Sequence, residues 1–430
     1  MKWACLQPLS GGFYFGAELA FGKPAEWIIS FPGLDLDDSK KCPNEFPVLS
    51  YLTKKQKCPP YWQFNGEMFS LNNIYPEFIN SEFTPNNLQT QEAKDNLLSN
   101  PVDIIIGLPV CSGLSAANMA EQKKELASCS CKNNNMKYLT NFTLTRLKPK
   151  VYIFENAPAL YSNKGFDIRK DLNKIAFENN YSVIYIKTDT KLHDNIQRRE
   201  RTFVVFYQNN LDFSSINFTH NSPTSVINYL KDKINTNAEQ NDLSVSPIKL
   251  QECWDYKFII NKYGTNWRSK VGNSSLLQHI LDYNLDNEFY KFYNNDEKIC
   301  HPVRHARNKI SQNKGFFDRS HKNIPEDRVP VIFFKTVQDI IHPTEDRFYT
   351  VREIMTFMGM PQDYNWPWDN INKFSEKIGQ NVPVLTARDI CSEVKRLLEN
   401  SSTQLPQNSI YFYNNIDPQK SYFEDKISSI

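Results

Sequence analysis

The sequence predicts an α/β fold, a doubly wound and mostly parallel Rossmann-like sheet carrying a smaller inserted domain. Three observations lead there. Short apolar runs alternate with helix-patterned segments through residues 1–207. A glycine-bearing turn joins the first run to the first helical pattern, as at the opening of a βαβ unit. One run, Val102 to Leu108, is apolar on nearly every residue, as a parallel strand buried on both faces requires.

Taken in order, Trp3 to Leu9 reads as a strand running into Ser10-Gly11-Gly12, and Phe13 to Phe21 as a helix closed by Gly22. A second strand follows at Trp27 to Phe31. From Pro32 to Pro101 the pattern breaks and Pro, Asn and Lys dominate, which predicts long loops. Val102 to Leu108, Val151 to Phe154, Tyr181 to Ile186 and Thr202 to Tyr207 supply further strands. Between 208 and 345 the periodicity weakens and an irregular region is expected. Within it, Lys298 to Lys322 carries Lys298, Arg304, Arg307, Lys309, Lys314, Arg319 and Lys322 against the single acid Asp318, with His301, His305 and His321 alongside. Such a run is either a solvated face or a nucleic-acid surface. From Arg347 the α/β character returns and ends in an amphipathic helix, Thr386 to Glu399, with Ile390, Val394, Leu397 and Leu398 on one face. These readings divide the chain into a main domain from 1–207 and 346–400, an insert at 208–345, and a polar tail at 401–430.

Composition excludes more than it names. The 430 residues are 40% hydrophobic and 23% charged, an ordinary globular mixture and not a collagen-like, mucin-like or disordered one. Fifty basic residues against 48 acidic ones give +2, so any nucleic-acid surface has to be local. The nine cysteines are scattered and odd in number, which predicts free thiols in a reducing, cytoplasmic setting. Cys129 and Cys131 lack the further ligands of a zinc site, so no metal is expected. No apolar run approaches the ~18 residues of a membrane span, so no membrane partner is expected either.

Four segments carry candidate chemistry. Gly107-Leu108-Pro109-Val110-Cys111-Ser112-Gly113-Leu114-Ser115 leaves the carboxyl end of a buried strand, where open parallel sheets bind ligands. Cys111 there is a nucleophile or a small core residue. Glu155, in Phe154-Glu155-Asn156-Ala157-Pro158, is an awkward charge to bury unless paired or functional, though it can equally cap the next helix. Gln197, Arg199 and Arg201 alternate along an extended segment, an arrangement that suits a phosphate, a base edge or a plain exposed face. Last come Arg352-Glu353 with Gly359-Met360-Pro361, and Gly379-Gln380-Asn381-Val382-Pro383.

The order of these blocks, with Ser10-Gly11-Gly12 ahead of them, resembles the DNA (cytosine-5)-methyltransferases, over about residues 3 to 207 and 346 to 399. The resemblance implies a Rossmann-like methyltransferase domain that uses S-adenosyl-L-methionine and methylates carbon 5 of cytosine in double-stranded DNA, as a monomer. It implies that Cys111 attacks carbon 6, that Glu155 acts as general acid at N3, and that Arg199 and Arg201 hold a flipped-out base. Ser10, Gly11, Gly12, Phe13, Pro109, Asn381 and Val382 are then the cofactor residues, and Ser112, Asn156 and Gln197 contact the substrate. The loop from Ser112 to about Lys137 would close over the base, and 208–345 would be the target-recognition region.

The chain departs from the family pattern at several places. The glycine turn is one Gly poorer. Phe31-Pro32-Gly33 stands where a ribose-binding acid is usual, leaving Asp35, Asp37 or Asp38 as substitutes and Glu67 as a match for the next carboxylate. Val110 and Ser112 replace the usual Pro and Gln around the nucleophile. The same chemistry on RNA, transfer of another group to carbon 5, and a catalytically silent DNA-binding relative are the alternatives.

Overall fold

The computed structural model describes residues 1–30, 47–63, 84–85, 100–109, 114, 131–211, 215–316, 318, 320–332, 336–367, 371–400 and 408–424. The strands among them are β1 (Trp3–Leu6), β2 (Ile28–Ser30), β3 (Tyr61–Gln63), β4 (Thr84–Pro85), β5 (Ile104–Gly107), β6 (Val151–Asn156), β7 (Tyr181–Asp189), β8 (Glu200–Gln208), β9 (Lys322–Asn323), β10 (Ile340–Ile341), β11 (Ile410–Asn414) and β12 (Tyr422–Glu424). All but β9 and β10 join one sheet, in the order β12-β11-β7-β8-β6-β5-β1-β2-β3-β4. Pairing is parallel from β3 through β2, β1 and β5 to β6, and again between β7 and β11. Strand β8 runs antiparallel to both of its neighbours. Every residue of β5 and β6 is buried, because helices cover both faces of this mostly parallel sheet.

On one face lie α1 (Gly12–Phe21) and, beyond α2 (Pro47–Lys54), the last long helix of the chain. The other face is covered by α3 (Cys131–Phe142) and α4 (Phe166–Glu178). The insert contributes α5 (Val226–Lys233), α6 (Trp254–Tyr263), α7 (Trp267–Val271), α8 (Leu276–Asp282), α9 (Asp286–Phe292) and α10 (Glu297–Ser311). The chain returns through α11 (Val351–Phe357), α12 (Ile371–Gln380) and α13 (Val384–Asn400), and α13 packs on α1 through its buried Ile390, Val394 and Leu397.

Four sequence expectations change. Residues 47–63, expected as loop, hold α2 and β3. The insert is helical rather than irregular. Three of its helices, α5, α8 and α10, start at side-chain caps: Ser225, Ser275 and Asp296 each accept from backbone N–H groups of the turn that follows. The tail past 401 is no appendage, because β11 adds parallel to β7 from Ile410 opposite Val183 to Asn414 opposite Lys187, and β12 pairs onto it. The fourth change concerns the basic stretch, which is only partly free. Lys298, His301 and His305 are exposed on α10, but Arg304 pairs with Glu297, and Arg307 with Asp286 at 2.5 Å. His321 is buried against Asp255 at 2.7 Å. Arg319 lies outside the described residues.

Candidate active site

The turn after β1 is tightly specified. Gln7 and Leu9 adopt positive φ values of 55° and 47°, and Gly11 one of 97°. Gly11 N donates to Pro8 O at 2.8 Å. Gly12 opens α1, and its N–H donates to Asn381 Oδ1 at 2.8 Å. A Cβ on Gly12 would overlap Val382 O, so only glycine lets the two segments meet this closely. Ser10 Oγ donates to Lys377 O at 3.1 Å, and Asn381 Nδ2 reaches Met360 Sδ at 3.2 Å.

The structure therefore brings Ser10, Gly11, Gly12, Phe13, Asn381 and Val382 together. The side chains of Ser10 and Asn381 hold the turn itself. Phe13 is buried, edge-on to Phe203 of β8 at 5.8 Å, and Pro109 is buried just past β5.

One residue was missed. Gln7 is 3% exposed, and its Oε1 has no hydrogen-bond partner among the described residues. Its signal in the sequence is an amide at the carboxyl end of an apolar strand. A glycine cradle, a helix start with no side-chain cap and a buried orphan acceptor fit S-adenosylmethionine, which carries a carboxylate and several hydrogen-bond donors.

The second cluster stands on β6 and β8. Glu155 lies opposite Phe203 in the ladder, so Arg201 is its diagonal neighbour on the same face. Arg201 Nε sits 2.7 Å from Glu155 Oε1, with side-chain exposures of 16% and 8%. Burial pushes the Glu155 carboxyl above the usual range, while the Arg201 and Arg199 charges pull it back down, and burial prevails. Protonated Glu155 is thus more accessible near neutrality than in water.

Arg199 is engaged differently from the expectation. Its two terminal nitrogens donate to Ile332 O at 2.6 Å and to Gly379 O at 2.8 Å, joining β8 to the insert and to the end of α12. Gln197 Nε2 reaches Met358 Sδ at 3.1 Å and leaves Oε1 buried without a partner among the described residues. Asn156 Oδ1 accepts from Ala157 N at 2.9 Å, and its Nδ2 likewise has no partner among the described residues.

Cys111 and Ser112 lie outside the described residues, as do most of the loop after them, Asp35, Asp37, Asp38 and Glu67. The strand leading to Cys111 is nevertheless β5, whose Gly107 pairs with Phe154 beside Glu155.

Arg352 and Glu353 hold structure rather than substrate. Arg352 is wholly buried on Glu239 O and Asn365 Oδ1. Glu353 closes a capping box with Thr350 and pairs with Arg347 at 2.8 Å. Among the described residues no three His, Cys, Asp or Glu side chains are placed to hold a metal ion, and no helix is long and apolar enough to cross a membrane.

A doubly wound sheet with a glycine turn at one strand end and a buried Glu–Arg pair nearby belongs to the class of open α/β proteins that bind ligands at the carboxyl ends of their strands. The model of the C-5 cytosine-specific DNA methylases matches residues 69–396, and the chain belongs to that family. It is accordingly a DNA (cytosine-5-)-methyltransferase, acting on carbon 5 of cytosine in DNA. Among its relatives, the type II methyltransferase M.DdeI of Desulfomicrobium norvegicum is 24% identical over 78% of this chain and 81% of its own length. M.Bpa9945I of Bacillus paralicheniformis is 23% identical over 69% and 71%. The structure of the Entamoeba histolytica methyltransferase EhMeth superposes with a TM-score of 0.54 at 12% identity, covering 93% of this chain and 98% of that one, which supports the fold.

Proposed function

We propose that turnover runs through Cys111 and Glu155 on a cytosine flipped out of duplex DNA, with S-adenosylmethionine held in the turn of residues 7–13. In this reading residues 208–345 form the target-recognition domain, inserted in a catalytic domain made from 1–207 and 346–400, and the protein works as an intracellular monomer. The observation that carries it is the buried Glu155–Arg201 pair next to the strand that delivers Cys111.

Cytosine carbon 5 is a poor nucleophile. Addition of the Cys111 thiolate to carbon 6 places an electron pair on the ring, and Glu155 stabilises it by donating a proton or hydrogen bond at N3. S-adenosylmethionine supplies an electrophilic methyl group to carbon 5. Loss of the carbon 5 proton then returns the electron pair and expels Cys111. Arg201 keeps Glu155 oriented, while the unpartnered Gln197 Oε1 and Asn156 Nδ2 are the polar atoms left for the substrate side. Gln7 and the start of α1, which has no side-chain cap, would hold the cofactor.

The test is incubation with duplex DNA, and separately with RNA, followed by mass spectrometry of the nucleosides. Formation of 5-methylcytosine in DNA alone, abolished in Cys111→Ser, is expected. Product in RNA alone, or a mass other than one methyl, would overturn the assignment.

A further inference from the structure

We propose that Arg169 and Phe412 are positioning residues for the loop that follows Glu155, which makes the C-terminal strand pair a working part of the active site. The inference rests on the catalytic reading above.

Strand β11 brings Phe412 onto the face of the sheet that α4 covers. Its ring stacks on Tyr185 of β7 at 5.0 Å and 16°, and Tyr161 meets it edge-on at 5.4 Å. Beside this stack lies Arg169 of α4, only 5% exposed. Its guanidinium is 5.2 Å from the centre of the Phe412 ring and 5.9 Å from that of Tyr185. Nη1 donates to Leu160 O at 2.7 Å and to Ser162 O at 2.5 Å. Leu160 and Ser162 belong to the loop that leaves β6 directly after Glu155, Asn156 and Ala157.

Among the described residues no carboxylate pairs with this guanidinium, and a buried charge without one is costly to keep. What offsets that cost here is a pair of carbonyls and two aromatic faces, one of them supplied by the C-terminal strand. Removing the Phe412 face loosens the guanidinium, and with it the only charged clamp on this loop among the described residues.

The same segment braces the other catalytic arm. Asn415 Nδ2 donates to Thr188 Oγ1 at 2.8 Å, and Thr188 Oγ1 meets His193 Nε2 at 2.6 Å. His193 Nδ1 lies 3.1 Å from Asp389 on α13. Two residues past Thr188, Thr190 Oγ1 donates to Gln197 O at 2.5 Å. Thr188 and His193 are wholly buried, so this chain of polar groups is a strut and offers no nucleophile to a substrate.

The experiment compares Phe412→Leu, which keeps most of the volume and loses the π face, with Phe412→Tyr, which keeps the face. Leu is expected to lower kcat about tenfold, the worth of one desolvated cation–π contact. The KM for DNA and the S-adenosylmethionine Kd should stay within about twofold. Amide exchange in residues 157–165 should speed by a similar factor, and Tyr should restore both readouts. Arg169→Lys, which keeps the charge and loses the planar fork, should behave as Leu does. Unchanged exchange in 157–165 for both Phe412→Leu and Arg169→Lys would overturn the clamp. Faster exchange with wild-type kcat would overturn its role in positioning. A wild-type protein that makes no 5-methylcytosine would sink the catalytic reading alone, and the exchange data would still decide the clamp.

Discussion

Arg201 and Arg307 show how differently two regions of this chain use the same side chain. Arg201 meets Glu155 across a β-ladder, with both groups largely withdrawn from water. Arg307 holds Asp286 from a helix surface, one-third exposed, and also bonds Leu281 O and Asn284. The first pair lies in a low dielectric, where the Arg201 charge reshapes the proton affinity of the proposed general acid. The second ties short helices together in water, where an ion pair contributes little. Backbone pairing over-determines the Glu155–Arg201 pair. The insert secures itself by local contacts, and this leaves only part of its basic stretch free for phosphates.

The most forceful way to break this comparison is to disturb the ladder pair. Glu155→Gln should lower kcat by roughly 10²–10⁴-fold, the range for a lost general acid, with little change in DNA affinity by filter binding. Arg201→Ala leaves the buried carboxylate uncompensated, at a cost of about 3–5 kcal/mol in chemical denaturation. Glu155 already titrates above its ordinary value, so its ionised form is the unfavourable one in the fold. Removing Arg201 raises that pKa further, so the stability deficit should grow as pH rises above the usual carboxylate range.

One pair in the insert resembles the ladder pair and sharpens the contrast. Burial works against a charged His321, but its hydrogen bonds to Asp255 and Cys253 and the Asp255 charge outweigh it and lift the imidazole to about 10. A raised histidine contributes stability that is complete below its unfolded value of about 6.5 and is lost as pH rises through about 10. Asp255→Asn should cost about 3–5 kcal/mol near neutrality, and melting curves across pH 6–10 should show the decline in wild type and its absence in the variant.

Gly12→Ala puts a methyl group against Val382 O and forces the turn from Asn381. Its S-adenosylmethionine Kd should rise about 100-fold by calorimetry, the upper range for overpacking. The smallest effect belongs to the exposed cations. Lys298→Ala should reduce the salt slope of DNA binding by about 0.9 if it meets one phosphate, with kcat unchanged.

Much of the catalytic half was legible in the sequence because its constraints are local. Apolar runs marked β1, β2 and β5 to β8, and the glycine turn marked the start of α1. Glu155 was legible as a strand-end charge that calls for a partner, and Arg201 as one of three polar residues alternating along a single face. What stayed hidden depends on contacts between distant segments. Nothing in Ile410 to Asn414, an aromatic-rich run flanked by polar residues, says that it will add parallel to β7. Arg169 reads as an ordinary helix-surface cation until Phe412 and Tyr185 enclose it. Arg199 alternates with Arg201 in sequence, and only the arrival of Ile332 and Gly379 reveals it as a joint between three segments. In the insert, the capping signals of Ser225, Ser275 and Asp296 were present, but helices of seven to fifteen residues rich in Asn and aromatics show little periodicity.

In the proposed reaction Cys111 forms a covalent bond to cytosine with Glu155 assisting at N3. Duplex DNA carrying 5-fluorocytosine, which cannot lose a proton from carbon 5, tests it most directly in the presence of S-adenosylmethionine. A denaturation-resistant protein–DNA adduct is expected, mapped to Cys111 by peptide mass spectrometry, lost in Cys111→Ser and formed far more slowly in Glu155→Gln. DNA binding with no adduct, or an adduct mapped to another residue, would contradict it.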